Sequence, residues 1–119
     1  MLQPNDVLDM SVIAALRELG DDGDQSLFLE LLELYVDDST RQMERLEQSL
    51  HAGDVKLSER IAHTLKSSSA NLGAMTVSKI CFEIELLGRN QSAAGMSTLF
   101  ESAREAHRSA VSALIALRA

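Results

Sequence analysis

Hydrophobic residues recur every three to four positions along most of this chain, which is the period of a helix with one buried face. The pattern predicts five helices, over residues 9–20, 25–51, 54–73, 76–87 and from 97 onwards. Pro4 is the only proline and precedes all of them, so no helix breaker interrupts the rest of the chain. The first helix should bury the face formed by Val12, Ile13, Leu16 and Leu19.

Four of these helices are long and are joined by short connections, which predicts neighbours that run antiparallel. We therefore expect an all-α fold, an antiparallel up-down-up-down four-helix bundle with a short extra N-terminal helix that covers one end. At 119 residues the chain suits a single domain, residues 1–119, with residues 1–6 as a flexible lead-in. Cys81 and His107 fall on apolar stripes, and we interpret both as packed core residues.

Charge and composition exclude several function classes. The net charge of −7 makes a nucleic-acid role unexpected, because a phosphate backbone needs a basic surface. A single cysteine excludes an internal disulfide and a Cys-x-x-Cys pair. There is no signal peptide and no apolar run of the roughly 18 residues that a membrane span needs. The sequence thus predicts a cytoplasmic protein without membrane contact.

The third helix carries the most informative pattern. Its apolar stripe comprises Leu57, Ile61, Leu65, Ser68 and Leu72, and His63 lies about 160° from the centre of that stripe. The histidine should therefore face water from the middle of a rigid helix. Its neighbours on or near that face are cations, small side chains and one acid: Lys56, Glu59, Arg60, Lys66, Ser67 and Ala70.

An exposed neutral imidazole can act as a nucleophile, a general base or a metal ligand. Glu59 and His63, four residues apart, could supply two metal ligands, but the three histidines lie on three different helices and the cations nearby favour an anion. A hydrolytic triad is disfavoured because the chain has no glycine-flanked nucleophile. Phosphoryl transfer fits better, since it depends on positioning and charge neutralisation. The chain has no GxxxxGK[ST] loop, so His63 would not take phosphate from ATP unaided.

The run HTLKSSSANLGA at residues 63–74 resembles the signature of histidine-containing phosphotransfer (HPt) domains, roughly H-x-L-K-G-S-[SA]-x-x-[LIV]-G. The resemblance extends over nearly the whole chain, including residues 16–20, the LLELY run at 31–35, the Ala52-Gly53-Asp54 break and the helix at 81–88. One departure is Ser67, which stands where the family usually has glycine. Serine is small, and its hydroxyl could donate to a phosphoryl oxygen.

The resemblance implies a phosphorelay carrier of two-component signalling rather than an enzyme. His63 would accept a phosphoryl group from the aspartate of one response-regulator receiver domain and pass it to another. Lys66 and Ser67 would stabilise that group, and Glu85 would accept a hydrogen bond from Nδ1 of the imidazole. The small and charged residues around His63 would form the receiver docking surface, namely Glu59, Arg60 and Ala70.

The residue pattern and the resemblance together give the expected cofactors, oligomeric state and cellular setting. We expect no metal or cofactor in this domain, with Mg²⁺ on the partner receiver only. We expect a monomer, because the predicted apolar stripes are used up inside one bundle. The domain would be free in the cytoplasm or tethered to a membrane-bound hybrid sensor kinase. The alternative from another class is a helical docking module that binds a signalling partner through the His63 face without chemistry.

Overall fold

The computed structural model of the protein describes residues 7–20 and 23–118. It confirms the all-α prediction: five helices are present, and no strand occurs among the described residues. The lead-in at 1–6 and two residues of the predicted turn, 21–22, lie outside the described part. The helices are α1 (Met10–Arg17), α2 (Ser26–His51), α3 (Val55–Asn71), α4 (Met75–Arg89) and α5 (Met96–Ala116).

The helices begin and end where local chemistry favours it. The side chain of Asp9 caps α1 by accepting from the backbone N–H of Ser11 at 3.0 Å. Asp54 caps α3 by accepting from the N–H of Leu57 at 3.0 Å. Gly73 follows α3 with φ +77°, a left-handed backbone that favours glycine. The predicted caps at Asp9 and Asp54 and the stop at Gly73 are therefore confirmed.

Helix α1 lies against one end of the bundle, beside the turn from α3 to α4. The N–H of Asp9 donates to the carbonyl oxygen of Gly73 at 2.7 Å. A Cβ at Gly73 would lie 2.9 Å from the carbonyl oxygen of Asp9, so the two backbones approach closely. The prediction that the short first helix covers one end of the bundle is confirmed by these contacts.

Helices α3 and α4 pack so closely that the side chain of Glu59 on α3 fills the space that a side chain at Gly88 on α4 would need. A Cβ at Gly88 of α4 would lie 2.6 Å from Cβ of Glu59 on α3. A second contact links the two helices: Ser78 Oγ on α4 donates to the backbone carbonyl oxygen of Lys66 on α3 at 2.8 Å. This tight pairing matters for function because it brings polar side chains of α4 within hydrogen-bond distance of the exposed face of α3.

Two details of the predicted core are wrong. Leu19 is 59% exposed because α1 already ends at Arg17, before the residue could turn inward. On α3, Ser69 is fully buried whereas Ser68 is only half-buried. The hydroxyl of Ser69 finds a partner inside the core, since it hydrogen bonds with the hydroxyl of Tyr35 at 2.7 Å. The buried stripe of α3 comprises Ser58, Ile61, Ala62, Leu65 and Ser69.

The bundle core holds other polar groups that are satisfied in pairs. His107 is 7% exposed, and its Nε2 hydrogen bonds with Oγ of Ser39 at 2.7 Å. Ser49 and Ser58 hydrogen bond through their hydroxyls, also at 2.7 Å. Cys81 is fully buried, and burial raises its thiol pKa to about 12. The interpretation of His107 and Cys81 as core residues is thus confirmed.

Candidate functional site

His63 stands at the middle of α3, and its side chain is 59% exposed. The structure places it at the surface, as the helical pattern predicts. It is not free of contacts, however, because its Nδ1 lies 2.8 Å from Oε2 of Glu85 on α4. The imidazole is therefore held at one ring nitrogen while most of the ring remains open to solvent.

Glu85 is the buried centre of this site, with a side chain only 3% exposed. Besides His63, two cations contact its carboxylate. Lys66 Nζ lies 2.8 Å from Oε1, and Arg89 Nη2 donates to Oε2 at 2.8 Å. The angles of the Lys66 contact fall outside those of a directed hydrogen bond, so it is an ion pair held by charge.

The ionisation of Glu85 follows from two opposing effects on its pKa. Burial raises the pKa of this carboxyl, because a charged group loses hydration. The contacts of Lys66 and His63 lower it by more, so the net pKa lies below its ordinary value of 4.5. Glu85 is consequently a carboxylate at neutral pH.

A carboxylate can only accept hydrogen bonds, which fixes the tautomer of the neutral imidazole. Nδ1 of His63 must carry the proton that it donates to Glu85. The lone pair then resides on Nε2, for which no hydrogen-bond partner exists among the described residues. The site therefore presents one nucleophilic nitrogen to solvent from a helix that packs closely against α4.

Lys66 lies one helical turn beyond His63 and has a side chain that is 25% exposed. Its Nζ is 5.1 Å from the ring centroid of Phe82, a residue of α4, which is within the range of a cation–π interaction. The ammonium thus sits between the Glu85 carboxylate and an aromatic ring. Together with Arg89, it supplies the positive charge of the site.

The remaining predicted site residues differ in how open they are. Ser67 and Arg60 are exposed on α3, and Ala70 is half-buried. Glu59 departs from the predicted open surface, because its side chain is only 17% exposed. It packs beside Gly88 and pairs with Lys56 at 3.3 Å, so it supports the contact between α3 and α4.

Comparisons with known proteins identify the family and the fold of the chain. The model of the Hpt domain family matches residues 30–117 of the chain, which is most of its length. The chain belongs to the Hpt domain family. This assignment confirms the family resemblance that the residues at 63–74 carry.

Individual relatives of this Hpt domain come from fungi, plants and bacteria. Multistep phosphorelay regulator 1 of Schizosaccharomyces pombe is 29% identical over 99 residues, which cover 83% of this chain and 34% of that protein. The chain therefore spans about a third of the length of that relative. Histidine-containing phosphotransfer protein 4 of Arabidopsis thaliana is 30% identical over 94 residues, 77% of this chain and 74% of that protein.

A solved structure supports the fold directly. The crystal structure of histidine-containing phosphotransfer protein B (HptB) from Pseudomonas aeruginosa superimposes with a TM-score of 0.87. The two chains are 28% identical, and the match covers 94% of each. The helical bundle described above is thus the fold of a known phosphotransfer protein.

Two residues that contact this site, Arg89 and Phe82, are not among the site residues predicted from the sequence. Arg89 falls outside the predicted fourth helix, which ends at residue 87, whereas the observed α4 continues to Arg89 itself. Its spacing of four residues from Glu85 was the available signal, since side chains four apart on a helix are neighbours. Phe82 lies three residues before Glu85 and could have been found by the same rule.

Within residues 7–20 and 23–118, no group of three or more His, Cys, Asp or Glu side chains is arranged to hold a metal ion. Across the same described ranges, no helix combines the length and apolar character needed to cross a bilayer.

Proposed function

We propose that this Hpt domain is a phosphorelay carrier in which His63 accepts a phosphoryl group from the aspartate of a receiver domain and passes it to another receiver. The observation that supports this most is the imidazole itself: 59% exposed, with Nδ1 held 2.8 Å from a buried carboxylate. That arrangement leaves Nε2 free for attack and fixes the ring against rotation. The relatives are a phosphorelay regulator and histidine-containing phosphotransfer proteins, which supports the same role.

The proposed transfer balances without an external acid or base. The Nε2 lone pair forms a bond to phosphorus while the bond from phosphorus to the aspartyl oxygen breaks, and the carboxylate leaves with that electron pair. The imidazole keeps its Nδ1 proton and becomes positively charged. Glu85 stabilises this charge through the hydrogen bond at Nδ1 and the ion pair that results. Transfer to the next receiver is the reverse of the same step.

Lys66 and Ser67 have supporting roles in this proposal. The phosphoryl group carries negative charge on its equatorial oxygens, and a cation beside it stabilises the transition state. Lys66 lies one turn from His63 and can shift from the Glu85 carboxylate toward those oxygens. The exposed hydroxyl of Ser67, one turn along on the same face, can donate to them as well.

The proposal extends to partners and setting. Receiver domains supply the aspartyl phosphate and its Mg²⁺, so this domain needs no cofactor and no ATP site of its own. The surface that a receiver would cover includes residues that border His63 on α3, namely Arg60, Ala70 and the exposed part of Glu59. We propose a cytoplasmic monomer, either free or as a module of a hybrid sensor kinase.

A transfer assay tests the proposal. The domain is mixed with a phosphorylated receiver and Mg²⁺, and the label on the domain is tested for acid lability and base stability. We expect such a label on the wild type and none on His63→Gln. His51→Gln is the matched control, because His51 is an exposed histidine in the last turn of α2, and it should be labelled normally.

The result can also contradict the proposal. A label that persists in His63→Gln would place the phosphoryl group elsewhere. Binding of receivers without transfer across a broad receiver panel, with the helical fold intact by circular dichroism, would instead indicate the docking module.

A further inference from the structure

Phe82 is a large apolar side chain that remains 42% exposed beside the site. It precedes Glu85 by three residues on α4, so both side chains project from the same face of that helix. The centroid of its ring lies 5.1 Å from Nζ of Lys66. We propose that Phe82 is a positioning residue for Lys66, an inference that rests on the proposed function of the site.

The argument begins with the flexibility of lysine. A lysine side chain has four rotatable bonds, and an unrestrained ammonium would spend little time at any one point. The backbone of Lys66 is fixed within α3, and its side chain is held only at the ammonium. Its carbonyl oxygen accepts from Ser78 Oγ at 2.8 Å, and its Nζ lies 2.8 Å from Glu85 Oε1. In the proposed transfer, however, the ammonium has to approach the phosphoryl oxygens rather than stay on the carboxylate.

During transfer the Lys66 ammonium must leave the carboxylate and approach the phosphoryl oxygens on Nε2 of His63. An aromatic face attracts a cation without demanding one direction, because the attraction comes from the quadrupole of the ring. The ion pair with Glu85 is likewise held by charge rather than by a directed hydrogen bond. The Lys66 ammonium can therefore stay in contact with the Phe82 ring while it moves from the Glu85 carboxylate to the phosphoryl group.

This role requires the ring and not merely apolar bulk. Phe82→Leu retains an apolar side chain but loses the quadrupole, whereas Phe82→Tyr retains the ring and adds a hydroxyl at an exposed position. A residue that only contributed apolar area to packing or docking would be replaced as well by Leu as by Tyr. The pair of variants therefore separates positioning of Lys66 from both of those roles.

The first test measures the contact itself and needs no partner protein. A proton above an aromatic ring is shifted upfield by the ring current, so the side-chain methylene protons of Lys66 should resonate upfield in the NMR spectrum of the wild type. We expect that shift to persist in Phe82→Tyr and to vanish in Phe82→Leu. Leu86→Ala, which changes an exposed apolar residue one turn later on α4, should leave it unchanged. Equal Lys66 shifts in the wild type and Phe82→Leu would overturn the proposal.

The second test measures the consequence for transfer from a phosphorylated receiver. At saturating receiver, Phe82→Leu should lower the maximal transfer rate about two- to fivefold, the range expected for an exposed cation–π contact, and Phe82→Tyr should restore it. In a Lys66→Ala background, Phe82→Leu should have no further effect. An equal loss with Leu and Tyr, or a full loss in the Lys66→Ala background, would contradict positioning through Lys66.

The two tests separate this inference from the proposed function. If the wild type accepts no label at all, the carrier role fails, and the NMR comparison still decides whether Phe82 holds Lys66. If the wild type is labelled and the Phe82 variants behave alike, the carrier role stands and the inference fails.

Discussion

His63 and His107 make the same kind of contact in opposite surroundings. Each ring is held at one nitrogen, at 2.8 Å and 2.7 Å, by an oxygen on a neighbouring helix. The side chain of His63 is 59% exposed, whereas His107 is 7% exposed within the core. A hydrogen bond to an imidazole therefore does not by itself mark a functional histidine.

The chemistry of the two oxygens decides what each ring can do. Glu85 gives His63 a carboxylate, which favours a proton on Nδ1 and would stabilise a positive charge on the ring in the proposed transfer. Ser39 gives His107 a neutral hydroxyl, and burial lowers the pKa of His107, which keeps this ring uncharged. In the proposed transfer, His63 would become cationic at the surface beside a carboxylate, whereas His107 stays neutral inside beside a hydroxyl.

The largest expected effect that separates the two histidines is on stability. His107→Ala should lower the free energy of unfolding by roughly 2–4 kcal/mol, because it leaves a cavity and an unpaired Ser39 hydroxyl in the core. His63→Ala should change it by about 0.5 kcal/mol or less, since Glu85 keeps Lys66 and Arg89 as partners. Urea unfolding at pH 7, followed by circular dichroism, measures both values.

The control for that comparison is His107→Gln, whose amide can still hydrogen bond with Ser39 and should recover part of the loss. Equal losses for the two alanine variants would mean that the His63 ring also contributes to packing, and the contrast between the two sites would be wrong.

A smaller effect, on the rate of phosphoryl transfer, is expected when Glu85 is changed and His63 is kept. Glu85→Gln keeps a carbonyl oxygen for Nδ1 but removes the negative charge, and Glu85→Ala removes both. Outer carboxylates that orient metal-bound histidines are worth about 10–100-fold in activity, and we expect Glu85→Ala to slow transfer within that range. Glu85→Gln should slow it less, because orientation survives while charge stabilisation is lost.

The measurement for the Glu85 variants is the single-turnover transfer rate from a phosphorylated receiver. The variants should still fold, because Lys66 and Arg89 are partly exposed and can be rehydrated when the carboxylate is gone. Circular dichroism is the control that checks this. A Glu85→Ala variant that transfers at the wild-type rate would show that the carboxylate neither orients nor stabilises the imidazole.

The exposure of His63 and the burial of His107 could both be predicted from the sequence, because helical periodicity shows which face of a helix each residue lies on. His63 falls opposite an apolar stripe and His107 falls on one, and the structure confirms both positions. The caps at Asp9 and Asp54 were predictable for a similar reason, since they depend on residues a few positions apart. These features are local, and local geometry can be worked out from spacing alone.

The contacts across helices were less predictable. Family resemblance suggested that Glu85 reaches His63, but the approach that permits it depends on the absence of a side chain at Gly88, opposite Glu59. The contact of Arg89 depends on two additional residues of helix beyond the predicted end. Likewise, a rotation of one residue decides that Ser69 rather than Ser68 is buried, because only Ser69 meets the hydroxyl of Tyr35.

The smallest expected effect concerns pH. Burial places the pKa of His107 in the folded protein below its ordinary value of 6.5, so near that pH the unfolded chain binds more protons than the folded one. The stability contributed by the neutral ring is therefore fully present above about pH 6.5 and is lost as the pH falls through the folded pKa. Between pH 7 and pH 6 the loss should be less than about 1 kcal/mol.

Subtracting the pH dependence of His107→Gln from that of the wild type isolates this contribution, because Gln keeps the hydrogen bond to Ser39 without titrating. Glu85 does not interfere in this range, since its lowered pKa keeps it ionised in the folded protein well below pH 6. Urea unfolding at pH 7, 6.5 and 6 should give a positive slope for the difference. A zero slope would mean that folding does not lower the pKa of His107, and the contrast with His63 would then lie in exposure alone and not in charge.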